Sequence, residues 1–300
     1  MVRVSSLTTA SASRRMRSAR AVRSSRLPIG VATTWSMDGI LLVDKPKGKT
    51  SHDVVDLVRR ERGEPRVGHA GTLDPLATGL LVLGLGKALK LLEFMADHDK
   101  TYEAGIELGI RTETDDAEGA RVEERPVPGR AELEAAAAGL VGEIVQKPPR
   151  YSAVKVGGRK LYEYARKGEE VEAPGRRVRV HELLLLSYEP PRARFRIRGS
   201  KGLYVRSIAR DLGGHVAELR RLASGPFRVE DAGAELLPMD TAVMHLPEVR
   251  LSTEDAHRFE DGKTLALESA PLIRVYCGPR FMGIGERTEK GLKPRKVILT

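Results

Sequence analysis

R-V-G-H-A-G-T-L-D-P-L-A-T-G, residues 66–79, is the stretch on which the reading of this chain turns. Gly68, Gly71 and Gly79 allow tight or left-handed turns and close approach of other backbone. Pro75 fixes its own φ and pushes Asp74 towards an extended conformation. The segment therefore reads as a stiff, irregular loop that presents His69 and Asp74. The apolar run L-L-V-L-G-L, residues 80–85, follows it and is long enough for a buried strand. A polar loop braced against a buried strand can hold a reactive side chain. The residues alone leave open whether Asp74 caps a turn or reacts.

Working outward, residues 39–43 (G-I-L-L-V) read as a short buried strand, and D-K-P-K-G-K as a turn whose Lys45, Lys47 and Lys49 could meet phosphate. Thr50 and Ser51 open a helix, with Asp53 at capping-box spacing and Gly63 at its end. Residues 88–95 suggest a short helix. Beyond it, Tyr102, Ala104, Ile106, Leu108 and Ile110 alternate as on one face of a strand. The acidic turn 113–118 (E-T-D-D-A-E) reads as a solvated loop. Residues 131–141 pattern as an amphipathic helix with Leu133, Ala136, Ala137, Leu140 and Val141 on its apolar face.

Residues 147–167 interleave lysines and arginines with Tyr151, Tyr162 and Tyr164, a mixture suited to phosphate contacts and base stacking. Two strands follow at 177–186 and 192–198. In the second, Ala193, Phe195 and Ile197 oppose Arg194, Arg196 and Arg198. Residues 204–223 read as one helix, kinked or interrupted at Gly213-Gly214. Arg206 falls in its first turn, where the helix dipole disfavours a cation, so a buried carboxylate partner is expected. A boundary is expected near Leu246-Pro247-Glu248, with short strands beyond it.

Three hundred residues with 41% apolar content suffice for one large domain, or one large and one small. The net charge of +10 suits a polyanionic partner such as nucleic acid, but seven arginines and no acid lie in residues 1–37, leaving 44 basic against 41 acidic residues. That leader is expected to be disordered. It reads either as a transit-peptide mimic or as sequence upstream of a true start at Met37. The single cysteine, Cys277, permits no intrachain disulfide and fits a reducing cytoplasm. No His/Cys pair has zinc spacing, and no apolar run reaches transmembrane length.

These motifs carry a resemblance over most of the chain from Asp38 onward. The 66–79 loop resembles the G-H-x-G-x-L-D-P-x-A-x-G signature of the TruB-type pseudouridine synthases, at every fixed position. The turn before the first helix resembles that family's K-P-x-G-x-T-S. Lys100-Thr101-Tyr102 resembles its K-x-Y motif, and Tyr151 to Lys155 its Y-S-A-x-K segment. S-K-G-L-Y-V-R resembles S-x-G-T-Y-I-R, with Leu203 in place of threonine.

The resemblance implies an α+β pseudouridine synthase fold: a mixed, largely antiparallel central sheet over residues 38–247, an RNA-gripping insertion at about 147–175, and a small PUA-like β domain over 248–300. It implies Asp74, Tyr102 and Arg206 as catalytic residues, with Asp74 ion-paired to Arg206. His69, Lys45, Tyr151, Lys155, Tyr204 and Leu219 are implied in substrate binding, although the link D-L-G-G-H before Leu219 is shorter than is usual. The implied substrate is uridine 55 in the T-stem-loop of tRNA, modified by a cytoplasmic monomer without cofactor, metal or membrane attachment. P-L-A-T-G after Asp74 resembles the stand-alone bacterial form rather than the guide-RNA-dependent, dyskerin-like form. A non-catalytic RNA-binding protein would not need Asp74, Tyr102 and Arg206 together.

Overall fold

β1 (Gly39–Lys45) is buried along most of its length because strands flank it on both sides, residues 79–85 in full register on one and the two-residue strand Leu236–Leu237 on the other. The computed structural model describes residues 37–299, and the expectations for residues 1–36 lie outside them. Helix α1 (Ser51–Arg62) starts as its sequence directs. The Thr50 hydroxyl accepts from the Asp53 N–H at 3.0 Å, and the Asp53 carboxylate accepts from the Thr50 N–H at 2.8 Å. Gly63, at φ 63°, ends it in the left-handed conformation. β2 (Val67–His69) and β3 (Thr78–Leu85) pair antiparallel and bracket the signature loop. A 3-10 turn and α2 (Leu92–Met95) stand where a short helix was expected.

β4 (Lys100–Leu108) lays Ala104, Ile106 and Leu108 into the core. The hairpin of β5 (Ile110–Thr112) and β6 (Arg121–Glu124) encloses the acidic turn. Helix α3 (Arg130–Gly139) buries Leu133 and Ala137, but Ala136 and Val141 are exposed, so the apolar face is narrower than its sequence suggested. After β7 (Gly142–Gln146) comes the basic insertion, with a hairpin of β8 (Lys155–Val156) and β9 (Arg159–Lys160) leading into α4 (Leu161–Ala165). β10 (Arg176–Glu189) and β11 (Arg192–Gly199) form an antiparallel pair. As the alternation predicted, Ala193, Phe195 and Ile197 are buried while the arginines between them are exposed.

The segment 204–223 departs from expectation. α5 (Val205–Asp211) is one short helix, and β12 (Gly214–Ser224) is a strand. Gly213 turns the chain at φ 85°, and a Cβ on Gly214 would lie 2.2 Å from the Glu107 carbonyl, so the two glycines let the chain leave the helix and dock against β4. Helical periodicity misled because the β12–β4 ladder is irregular. A register shift between Val216 and Glu218 puts Val216 and Leu219, three apart, into the same core.

Over the described residues the main sheet has ten strands. β13 (Phe227–Arg228) pairs with β12, and β14 (Leu236–Leu237) with β1; the path runs β14-β1-β3-β12-β4-β11-β10-β7. Only the short β12–β3 pairing is parallel in it, so the sheet is mixed and largely antiparallel. A second, four-stranded sheet follows, from β15 (Glu248–Arg250), β16 (Leu272–Cys277), β17 (Arg280–Thr288) and β18 (Gly291–Val297), with α6 (Thr253–Glu260) against it. Ile284 of β17 joins a core with Ile40, Leu42 and Leu80, tying the small sheet to the large one.

Candidate active site

The signature loop is held from two sides. On the α1 side, Ser51 Oγ accepts from the Leu73 N–H at 2.8 Å and donates to the Leu73 carbonyl at 3.2 Å. The Gly48 N–H donates to the Pro75 carbonyl at 2.8 Å. Lys45 is fully buried, and its ammonium donates to the carbonyls of Lys49 (2.6 Å), Pro46 (3.1 Å) and Pro75 (3.4 Å). That placement corrects the expectation of a phosphate contact at Lys45, because its three donors already meet backbone. On the β12 side, buried Arg221 donates to the carbonyls of Leu80 (2.7 Å), Gly71 (3.1 Å) and Thr72 (3.4 Å). Gly79, at φ 99°, makes room for this strand: a Cβ there would lie 2.3 Å from the Arg221 carbonyl.

Between these clamps the loop delivers Asp74. Its Oδ2 lies 3.0 Å from Nη2 of buried Arg206, giving the cation in the first turn of α5 a carboxylate partner, although the Asp74 side chain is itself part-exposed and the buried carboxylate on Arg206 is that of Asp116. Arg206 is fixed by three further acceptors: the carbonyls of Tyr151 (2.9 Å) and Thr114 (3.1 Å) and Oδ2 of Asp116 (3.4 Å). A guanidinium fork can serve several acceptors at once in a way an ammonium cannot. The acidic turn, expected to be solvated, is therefore buried at its two aspartates while Glu113 and Glu118 stay exposed: Asp115 and Asp116 are 6% and 4% exposed, and Asp115 pairs with Arg210 at 2.8 Å. The physical reason is that α5 brings two arginines onto a turn carrying two carboxylates.

Burial pushes the Asp74 carboxyl above its ordinary value of 3.8, and Arg206 pulls against that rise; Asp116 adds to it and Lys45 opposes it. A cavity of about 290 Å³ opens at Asp74, lined also by Tyr102, Ser152, Tyr204, Arg206 and Leu219. Five of the nine anticipated site residues thus converge. Leu219 does so from a strand rather than the expected helix, and Leu203, the position that departs from the family motif, lines the cavity too. The Gln146 side chain holds Tyr204 by its backbone, accepting from the N–H at 2.8 Å and donating to the carbonyl at 3.1 Å.

The other four lie outside the cavity lining. His69 is half-buried on β2, and its Nδ1 accepts from the Gly71 N–H at 3.3 Å. Burial, then the nearby Arg221, lowers its pKa, so the ring is neutral near pH 7. Lys45 braces the loop as described. The Tyr151 phenol donates to Glu113 at 3.1 Å while its carbonyl steadies Arg206. Lys155 is exposed on the insertion hairpin. Sequence reasoning missed Arg221, Asp116 and Gln146. Arg221 could have been found had L-R-R-L been read as a strand, since alternation turns one of two adjacent arginines inward.

No group of three His, Cys, Asp or Glu side chains placed to hold a metal occurs among the described residues, and no helix there is long and apolar enough to cross a membrane.

Residues 59–205 match the model of the TruB family pseudouridylate synthase N-terminal domain, and residues 247–298 that of the pseudouridine synthase II TruB C-terminal region. A protein of Aromatoleum aromaticum named tRNA pseudouridine synthase B is 44% identical, over 88% of this chain and 94% of its own length. Its namesake in Geobacillus kaustophilus is 46% identical, over 77% and 92%. Among solved structures, the H/ACA RNP bound to a substrate RNA containing 2′-deoxyuridine has a chain of the same fold, with TM-score 0.66 and 22% identity over 88% of this chain and 86% of that one. Matching both halves of the family and its relatives over nearly their full length, this chain belongs to the TruB family of pseudouridine synthases.

Proposed function

We propose that this enzyme isomerises uridine 55 in the T-stem-loop of tRNA to pseudouridine, acting as a monomer without guide RNA. The curated relatives' name, tRNA pseudouridine synthase B, supports tRNA as substrate. The observation that carries the mechanism is the Asp74–Arg206 pair at 3.0 Å beside Tyr102 in one cavity.

The reaction breaks the N1–C1′ bond of uridine, turns the base and joins C5 to C1′. A proton leaves C5 and one is gained at N1, so atoms and electrons balance without a redox partner. Asp74 is the nucleophile, attacking base or ribose. Arg206 orients its carboxylate and favours the ionised form that attack requires. The target base must leave the RNA stack, which costs a few kcal/mol. Stacking on Tyr102 returns roughly 1–3 kcal/mol. Tyr102 also accepts the C5 proton, Leu219 and Tyr204 wall the pocket, and neutral, planar His69 fills the space the base leaves. Lys155, Tyr151 and the insertion grip the RNA backbone, and the C-terminal sheet, PUA-like by resemblance, extends that grip. Lys45 serves the substrate indirectly by stiffening the loop that carries Asp74.

The test is to incubate an unmodified tRNA transcript with the protein alone and map pseudouridine. One new pseudouridine in the T loop is the expected result. Product only with an added guide RNA, or at another position, contradicts the proposal.

A further inference from the structure

Ser152 and Thr72 are the polar side chains of the cavity lining that this mechanism leaves unused, and of the two only Ser152 is buried. It is 5% exposed, and its buried hydroxyl makes no hydrogen bond of ordinary geometry. Arg59, His98, Arg111 and Arg159 also hold such atoms among the described residues, but none of them lines the cavity, as Ser152 does. Burial of an unsatisfied hydroxyl costs free energy, so its retention calls for a reason. Its backbone is fixed from both sides. The Tyr162 N–H donates to the Ser152 carbonyl at 3.2 Å, and the preceding Tyr151 carbonyl accepts from Arg206 at 2.9 Å. The Tyr204 phenol is a polar neighbour within reach, and a weak hydrogen bond to it counters part of the upward push that burial gives that phenol, but the pair does not meet ordinary hydrogen-bond geometry and leaves the hydroxyl free to turn to a better acceptor.

We infer that Ser152 is a substrate-contacting residue whose hydroxyl donates to a carbonyl oxygen of the target uracil, an inference that rests on the reading of this cavity as the site of the flipped base. The chemistry of uracil suits one donor in this place. Turning the ring about its N3–C6 axis exchanges N1 with C5 and, with them, the C2 and C4 carbonyls. A hydroxyl that faces one carbonyl before the base detaches faces the other after it has turned. Ser152 makes and breaks no covalent bond; it keeps its proton and holds the free base through the turn. The rest of the uracil edge is left to the cavity walls, so the serine positions the ring more than it selects it.

The experiment compares wild type, Ser152→Ala and Asp74→Asn in single-turnover pseudouridylation of a T-stem-loop RNA, beside RNA affinity and thermal melts. A hydrogen bond of ordinary net strength predicts Ser152→Ala to be about tenfold slower at saturating RNA. RNA affinity should hold, and Tm should be essentially unchanged, because the hydroxyl makes no hydrogen bond of ordinary geometry in the free protein. With 4-thiouridine at the target, whose sulfur accepts hydrogen bonds weakly, the wild type slows and Ser152→Ala slows no further. Wild-type rate in Ser152→Ala overturns the inference, as does a rate loss that follows a fall in Tm, or a thio effect of equal size in both. An active Asp74→Asn instead defeats the reading of the cavity itself.

Discussion

Asp74 sits under opposed influences: burial raises its pKa, and Arg206 lowers it. On the proposed role, attack requires the carboxylate, so kcat/KM is expected to fall on acidification with a midpoint above 3.8. Acid unfolding through this group is not the cause. A raised folded pKa means that the folded state holds the proton more tightly than the unfolded chain, so this residue favours the fold as pH falls and disfavours it above the folded value. Arg206→Gln removes the opposing pull and should move the acidic limb to higher pH. It should also lower Tm, since Asp74 and Asp116 lose their shared cation. A pH–rate profile of both proteins, with melts, checks the two effects. An unmoved limb would show that Arg206 does not set the carboxylate's protonation.

At the level of elements, the loop works because the start of α1 and the strand β12 grip it from opposite sides. Ser51→Ala removes two hydrogen bonds to Leu73 and leaves a buried backbone N–H unpaired, at a cost of about 1–3 kcal/mol. Gly79→Ala forces a side chain into a left-handed conformation against the Arg221 carbonyl and should cost about 1–3 kcal/mol or more. Urea denaturation measures both, and in both kcat should fall further than RNA affinity.

These elements also show what could be read beforehand. The capping box, the buried strand behind Asp74 and the alternating arginines of β11 are local patterns, and each stands as expected. That Arg206 needs a carboxylate was legible because a cation in the first turn of a helix needs an explanation, and the resemblance of its motif pointed to Asp74 as the partner. β12 was misread because a bulge gives a strand the spacing of a helix, and only the neighbouring β4 makes that visible. The acidic turn was misread for a similar reason, as its counterions come from a helix some ninety residues further on. Lys45 looked like a surface lysine because the carbonyls around it belong to a fold not yet formed.

Across the whole molecule, the small C-terminal sheet is bound into the large one. Ile284 packs in the core of β1 and β3, and Arg295 and Lys296 reach Glu93 of α2 at 3.3 Å and 2.7 Å. The ion pairs are exposed and contribute little. The shared apolar packing matters more, since truncation at a buried position exposes core to water. A chain ending before Pro247 should therefore melt at a clearly lower temperature than the full chain, not merely bind RNA more weakly. An unchanged melt would show that the small sheet is an independent appendage.

The most direct measurement is pseudouridine formation on an unmodified tRNA transcript, with no guide RNA, by the wild type and Asp74→Asn side by side at matched RNA affinity. One pseudouridine in the T loop for the wild type and none for the variant is the predicted result. Product from Asp74→Asn at a rate near that of the wild type would contradict it, and would leave the Asp74–Arg206 pair a structural ion pair rather than the centre of the reaction.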